Sequence, residues 1–139
     1  MKIFLVPPNE IDSLWDDIAP LIDKAFNDIG NITADDIKEA LENSLMFSWI
    51  ITEGNTIESL FICELYEYPH KKSCFVSTWS TKSGHEFDKY YPVVINEIEN
   101  FSKINGCEFI ESRVRKGLAK KLTNHGWKDT HSWIIKSLL

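Results

Sequence analysis

The sequence predicts a single α+β domain over residues 1–139: a mixed, mostly antiparallel sheet with helices on both faces. Three observations carry this. The runs LMFSWIIT, TIESLFICELYEY and SCFVSTWST follow one another with only the turns Glu53-Gly54-Asn55 and Pro69 to Lys72 between them, and their β-branched and aromatic content is that of an antiparallel meander. In the middle run Ile57, Ser59, Phe61, Cys63 and Leu65 alternate with Glu58, Leu60, Ile62, Glu64 and Tyr66, so both faces carry apolar groups and both need cover. The stretch Val93 to Trp127 reads as helix, strand, helix, with Asn105-Gly106 and Gly126 ending the two helices.

Taken in order, Lys2 to Val6 is a short apolar strand closed by Pro7-Pro8. From Asn9, a candidate N-cap, the spacing Ile11, Leu14, Trp15, Ile18, Leu21, Ile22, Ala25, Phe26 predicts a helix that Pro20 kinks or splits. Asp28 to Asn31 reads as a loop. Thr33 with Asp36 three residues on predicts a capping box for a second helix over residues 34–43. After the meander and the loop Lys82-Ser83-Gly84-His85, the spacing Phe87, Tyr91, Val94, Ile98, Phe101 predicts a long helix stopped by Asn105-Gly106. Pro92 fits if it faces solvent or is that helix's first residue. Cys107 to Val114 then reads as a strand, Lys116 to His125 as a basic helix ended by Gly126, and Lys128 to Leu139 as a last strand.

Composition narrows the function classes. No apolar run reaches the ~20 residues that cross a bilayer, and MKIFLVPPNE turns acidic too early for a signal peptide, which predicts a cytoplasmic protein without a membrane partner. Cys63, Cys74 and Cys107 are odd in number and widely spaced, and the histidines lack ligand spacing, so neither a disulfide framework nor a metal site is expected. Residues 1–60 hold 12 acids against 3 Lys, and the remainder 9 acids against 12 Lys and Arg. That split argues against a nucleic-acid binder but leaves a local cationic patch at Arg113, Arg115, Lys116, Lys120, Lys121 and Lys128, fit for phosphates or an acidic partner, or simply a solvated face.

The element order resembles the GNAT superfamily of acyl-CoA-dependent N-acyltransferases over nearly the whole chain. The C-terminal third, with Ile98-Glu99-Asn100-Phe101-Ser102, Asn105-Gly106-Cys107, Arg113, Gly117-Leu118, Leu122 and Gly126-Trp127, resembles the small GNAT-like proteins of tailed bacteriophages. The resemblance implies acetyl-CoA as cofactor, held at its pyrophosphate by the loop before the long helix. That loop is Thr81, Lys82, Ser83, Gly84 and His85, with one glycine where active members carry a richer motif. Many members also place a proton-donating Tyr four residues before the closing Gly-aromatic pair, where this chain has Leu122.

Acylation of an amine needs a base for the ammonium and a donor for the carbonyl oxygen. Glu64, alternating with apolar residues in mid-strand, is the candidate base, with a raised pKa if buried; an exposed or Lys-paired carboxylate is the plain alternative. His85 is the candidate for assisting binding or proton transfer, against a surface histidine. Tyr66 and Tyr68 are candidates for lining a substrate cleft. Two function classes follow: an N-acetyltransferase acting on a primary amine of a small molecule or protein, or an inactive GNAT-like module binding a phage or host protein. An opening between the fourth and fifth strands serves the first; a cleft filled by Trp79 or Tyr66 serves the second.

Overall fold

The computed structural model describes residues 1–26 and 32–138, and at position 85 the backbone. The loop expected at Asp28 to Asn31 lies outside the described residues. The described elements are β1 (Lys2–Leu5), α1 (Ile11–Ala25), α2 (Ala34–Glu42), β2 (Phe47–Glu53), β3 (Thr56–Glu67), β4 (Lys72–Thr81), α3 (Phe87–Ile104), β5 (Phe109–Ser112) and α4 (Lys116–Thr123). The five strands form one sheet in chain order. β1 to β4 pair antiparallel, and β5 joins β4 in parallel after the α3 crossover.

Local chemistry explains most boundaries. The Thr33 hydroxyl accepts the Asp36 N–H at 3.2 Å and the Asp36 carboxylate accepts the Thr33 N–H at 2.9 Å, a closed capping box. Gly106, at φ +76°, takes the left-handed turn that ends α3. Asn9 does not cap α1: it sits inside a 3-10 turn, Pro8–Glu10, because Pro7-Pro8 already fixes the chain's entry. Pro20 does not split α1, and Pro92 lies within α3. Both rings face solvent, where the carbonyl left without its donor can be hydrated.

The sheet carries a core on each face. Ile18, Leu21 and Ile22 of α1 and Ile37 and Leu41 of α2 close over Ile50, Ile57, Leu60 and Ile62. On the other face α3 lays Tyr90, Val94 and Ile98 over Trp49, Ile51, Phe61, Cys63, Cys74 and Val76. Each such large side chain contributes roughly 1.5–3 kcal/mol by leaving water. Strict alternation is broken twice, and both breaks matter. The register moves so that Ile51 faces Ser59 and Thr52 faces Ile57, leaving Glu58 as an extra residue and putting Ile57 on the α1 face with Leu60 and Ile62. It moves again where Cys63 faces Val76 and Ile62 faces Thr78, leaving Ser77 as the extra residue of β4.

The expected last strand does not form. Residues 128–138 carry no regular secondary structure and are exposed, because no strand of the described sheet pairs with them. Their apolar pattern suits a strand, but a strand needs a neighbour's backbone to satisfy its N–H and C=O groups.

Candidate active site

The Ser77 bulge begins the site. β4 and β5 pair from Ser73↔Phe109 to Val76↔Ser112; β5 then ends while β4 runs on to Thr81, twisted by its extra residue, so the two chains part. Trp79 occupies the gap. Its indole N–H donates to the Ser112 hydroxyl at 2.9 Å, and that hydroxyl donates to the Val76 carbonyl at 2.6 Å, a bridge between the parting strands. The ring meets Phe61 and Trp127 edge-on at 6.0 and 5.8 Å between centroids and stacks on Tyr91 at 6.3 Å. Leu122 of α4 is buried against Phe87 and Tyr91 in the same cluster. Tyr91 accepts the Trp127 indole N–H at 2.7 Å, while His125 stacks on its ring at 4.2 Å. Burial pushes the Tyr91 phenol up.

The expected phosphate loop follows β4. Thr81 to Glu86 runs into a 3-10 turn, Gly84–Glu86, that opens α3. Its carbonyls are held by lysines from both sides of the sheet: Lys24 of α1 donates to Thr81 O and Lys82 O, each at 2.7 Å, and Lys121 of α4 reaches Gly84 O at 3.5 Å and lies over the Phe87 ring. Lys82 lines a small pocket, about 340 Å³, whose other lining residues include Asp16 and Asp17. A Cβ built at Gly84 meets nothing within 4 Å, so the space before the loop is open. The loop lies before the N-terminus of α3, where the N–H groups of a helix end can receive an anion. The gap closed by Trp79 does not fit the cofactor's arm unless the indole moves.

Glu64 lies on the other side of the sheet. It is half-buried on the α1 face and accepts the Tyr66 hydroxyl at 3.0 Å. Burial and that carboxylate push the Tyr66 phenol up. Beside it Glu111 of β5 accepts the Tyr68 hydroxyl at 2.7 Å and the Ser73 hydroxyl. Phe75 packs on Tyr66 at 5.2 Å, with the Arg113 guanidinium 5.6 Å above its ring. The α1 and α2 helices do not cover this end of the sheet, and Tyr66, Tyr68 and Phe109 are partly exposed.

The structure thus brings Thr81, Lys82, Ser83, Gly84 and the His85 backbone together at the start of α3 but leaves Glu64 apart. Phe75, the partner of Glu64, is six residues from Thr81, about 20 Å along the strand. The side-chain role expected of His85 lies outside the described part. The cationic patch read from the sequence is divided, Arg113 lying over the Phe75 and Trp133 rings and Lys121 reaching the loop. Glu111 was missed, although its alternation with Ile110 in FIES puts it on the face opposite the α3 core. No group of three His, Cys, Asp or Glu among the described residues could hold a metal ion. Hydrogen bonding to Cys74, and burial, push the Cys63 thiol up, which suits packing and not nucleophilic attack.

No protein-family model matches the chain, and no curated protein matches it in sequence. Solved structures do match in fold. A predicted acetyltransferase of Clostridium acetobutylicum, determined with acetyl-CoA, superposes at a TM-score of 0.74 and 17% identity over 99% of this chain and 96% of its own. The aminoglycoside 6'-N-acetyltransferase AAC(6')-IG of Acinetobacter haemolyticus gives 0.77 at 13% identity over 99% and 97%. A GCN5-related N-acetyltransferase of Ralstonia eutropha gives 0.74 at 13% identity over 98% and 97%. At such identities the likeness is one of fold, and the fold of this chain is that of the GNAT acetyltransferases.

Proposed function

We propose that this chain is an acyl-CoA-dependent N-acetyltransferase of the cytoplasm acting on a primary amine, with Thr81 to His85 and Lys121 at the cofactor's phosphates. The observation that supports this best is the Lys121 ammonium at the Gly84 carbonyl, where the positive end of α3 adds to it. Bound acetyl-CoA would supply the thioester: the amine nitrogen would bond to the acyl carbon as the carbon–sulfur bond breaks, and coenzyme A would leave as a thiolate that takes up the second proton the nitrogen sheds. The carboxylate face supplies the rest: Glu64 and Glu111 draw a cationic amine, and Glu64, oriented by the Tyr66 hydroxyl, accepts the ammonium proton. The neighbouring aminoglycoside 6'-N-acetyltransferase makes a polycationic small molecule a reasonable acceptor class.

A second reading is favoured by one specific observation, the Trp79 to Ser112 bridge. With the strand gap filled and Leu122 in place of a proton donor, the chain would be an inactive module that binds a phage or host protein, in the host cytoplasm or the virion.

Calorimetric titration of acetyl-CoA separates them. The enzyme reading expects micromolar binding, lost in Gly84→Asp with Lys121→Glu and tightened in Trp79→Ala, which empties the gap. Absence of binding at millimolar cofactor, in wild type and in Trp79→Ala alike, would leave only the second reading.

A further inference from the structure

We infer that Lys24 of α1, on the opposite face of the sheet from α3, is a positioning residue for the loop after β4: with the Thr81 hydroxyl it holds the loop's carbonyls within the chain, so that the N–H groups on the far edges of the same peptides are aimed at the cofactor's phosphates. The inference rests on the reading of Thr81 to His85 as the place where those phosphates bind. A phosphate is held by N–H groups and repelled by carbonyl oxygens, and a trans peptide carries one of each on opposite edges. Fixing a carbonyl therefore aims the N–H that follows it.

Each carbonyl from Thr81 to Gly84 meets a donor of the chain itself. The Lys24 ammonium donates to Thr81 O and to Lys82 O, each at 2.7 Å. The Thr81 hydroxyl donates to Ser83 O at 2.6 Å, and the Glu86 N–H reaches the same oxygen at 3.1 Å. Lys121 approaches Gly84 O at 3.5 Å. Among the described residues no peptide is cis, so these contacts set the other edge of the loop as well. The first peptide is satisfied at both ends, since the Lys82 N–H donates to Glu58 O at 2.9 Å. In the next two, the Ser83 N–H points away from the Lys24 ammonium, and the Gly84 N–H away from the Thr81 hydroxyl. Because α1 covers one face of the sheet and α3 the other, the Ser83 N–H is turned from α1 toward the α3 side.

A lysine in the last turn of a helix ordinarily serves that helix's own terminal carbonyls. Lys24 is in the last turn of α1, yet it donates to carbonyls 57 and 58 residues away. A separate contact brings it there. The buried Ser80 hydroxyl donates to the Leu21 carbonyl at 2.7 Å and docks this turn of α1 on the end of β4. Leu21 and Lys24 are three residues apart and share one side of the helix, while Ser80 and Thr81 are successive in β4, so the first contact sets the ammonium beside the loop. A cation behind the two carbonyls also offsets the negative ends of their dipoles, which an arriving phosphate would otherwise meet.

The test is calorimetric titration of acetyl-CoA into the full chain and into Lys24→Met, Lys24→Arg and Thr81→Val. Lys24 is exposed, so Met, which keeps the length of the side chain but cannot donate, should leave the circular dichroism unchanged. Affinity is expected to fall about tenfold in Lys24→Met and to return to within about threefold of wild type in Lys24→Arg, whose guanidinium can bond both carbonyls. Thr81→Val removes no charge and should weaken binding about threefold through the lost hold on Ser83 O. Unchanged affinity in Lys24→Met would overturn the inference and leave the cofactor reading standing. So would a loss in Lys24→Met with none in Thr81→Val, which would make the ammonium a plain charge near the phosphates. Absence of binding by wild type at millimolar cofactor would instead overturn the reading of the loop, and this inference with it.

Discussion

The sheet is finished differently at its two ends. Under α1 and α2, Ile50, Ile57, Leu60 and Ile62 meet Ile18, Leu21, Ile22, Ile37 and Leu41; the buried Ser80 hydroxyl donates to the Leu21 carbonyl at 2.7 Å, while the buried Ser48 and Thr78 hydroxyls, opposite Ile62, have no partner among the described residues. Around β5 the same kinds of residue stay open: β4 outruns its partner, an indole bridges the gap, one face shows tyrosines and carboxylates, and an apolar segment lies in solvent. The first region spends its side chains on stability. The second leaves hydrogen-bonding and apolar groups open to solvent, the kind of surface that a rigid scaffold can present to a ligand.

The widest contrast is between two isoleucines. Ile18→Ala opens a cavity in a fully buried site and should cost about 2–5 kcal/mol, whereas Ile134→Ala, at a surface position, should stay within about 0.5 kcal/mol. Urea unfolding midpoints of the two variants beside wild type decide it. A large loss at Ile134 would mean that the segment is already part of the core.

Ser112→Ala sharpens the comparison at the gap itself. The substitution removes the acceptor of the Trp79 indole and the donor to Val76 O, so stability should fall by about 1–2 kcal/mol. If the bridge is what closes the gap, acetyl-CoA binding should tighten in the same variant. Lost stability with unchanged affinity would make the bridge a packing detail.

How much of this was legible in the sequence follows the range of the interaction that decides each feature. The capping box, the Asn105-Gly106 stop and the meander rest on contacts a few residues apart or on a simple period, and residue types carry them. The bulges at Glu58 and Ser77 depend on what faces them across the sheet, so a strict two-residue period put Ile57 on the wrong face. Lys128 to Leu139 has the composition of a strand, but composition says nothing about whether a partner strand is within reach. The position of the loop from Thr81 to Gly84, between a strand and a long helix, was legible from the patterns on either side of it. Lys24 and Lys121, which hold that loop, lie some 57 and 37 residues away in the chain and nothing local announces them.

The smallest expected effect tests the well-finished region on its own terms. In the capping box the N–H of Thr33 and then its hydroxyl hold the Asp36 carboxyl below the ordinary 3.8. A carboxyl held low in the folded state gives up more protons there than in the unfolded chain, so its contribution is complete above the unfolded value and drains away as pH falls through the folded one. Stability should therefore decline below about pH 4 partly through this group, and Asp36→Asn, which keeps the shape but cannot titrate, should flatten that part of the profile. Thr33→Ala should cost about 1 kcal/mol at neutral pH and flatten the same part, because it removes the hydroxyl half of the cap. Thermal midpoints of the three proteins between pH 3 and pH 7 give the answer. If Asp36→Asn keeps the wild-type slope, the acid sensitivity comes from elsewhere, with Asp12 next to be tested, since its hydrogen bond to Lys38 between α2 and α1 also holds its carboxyl low.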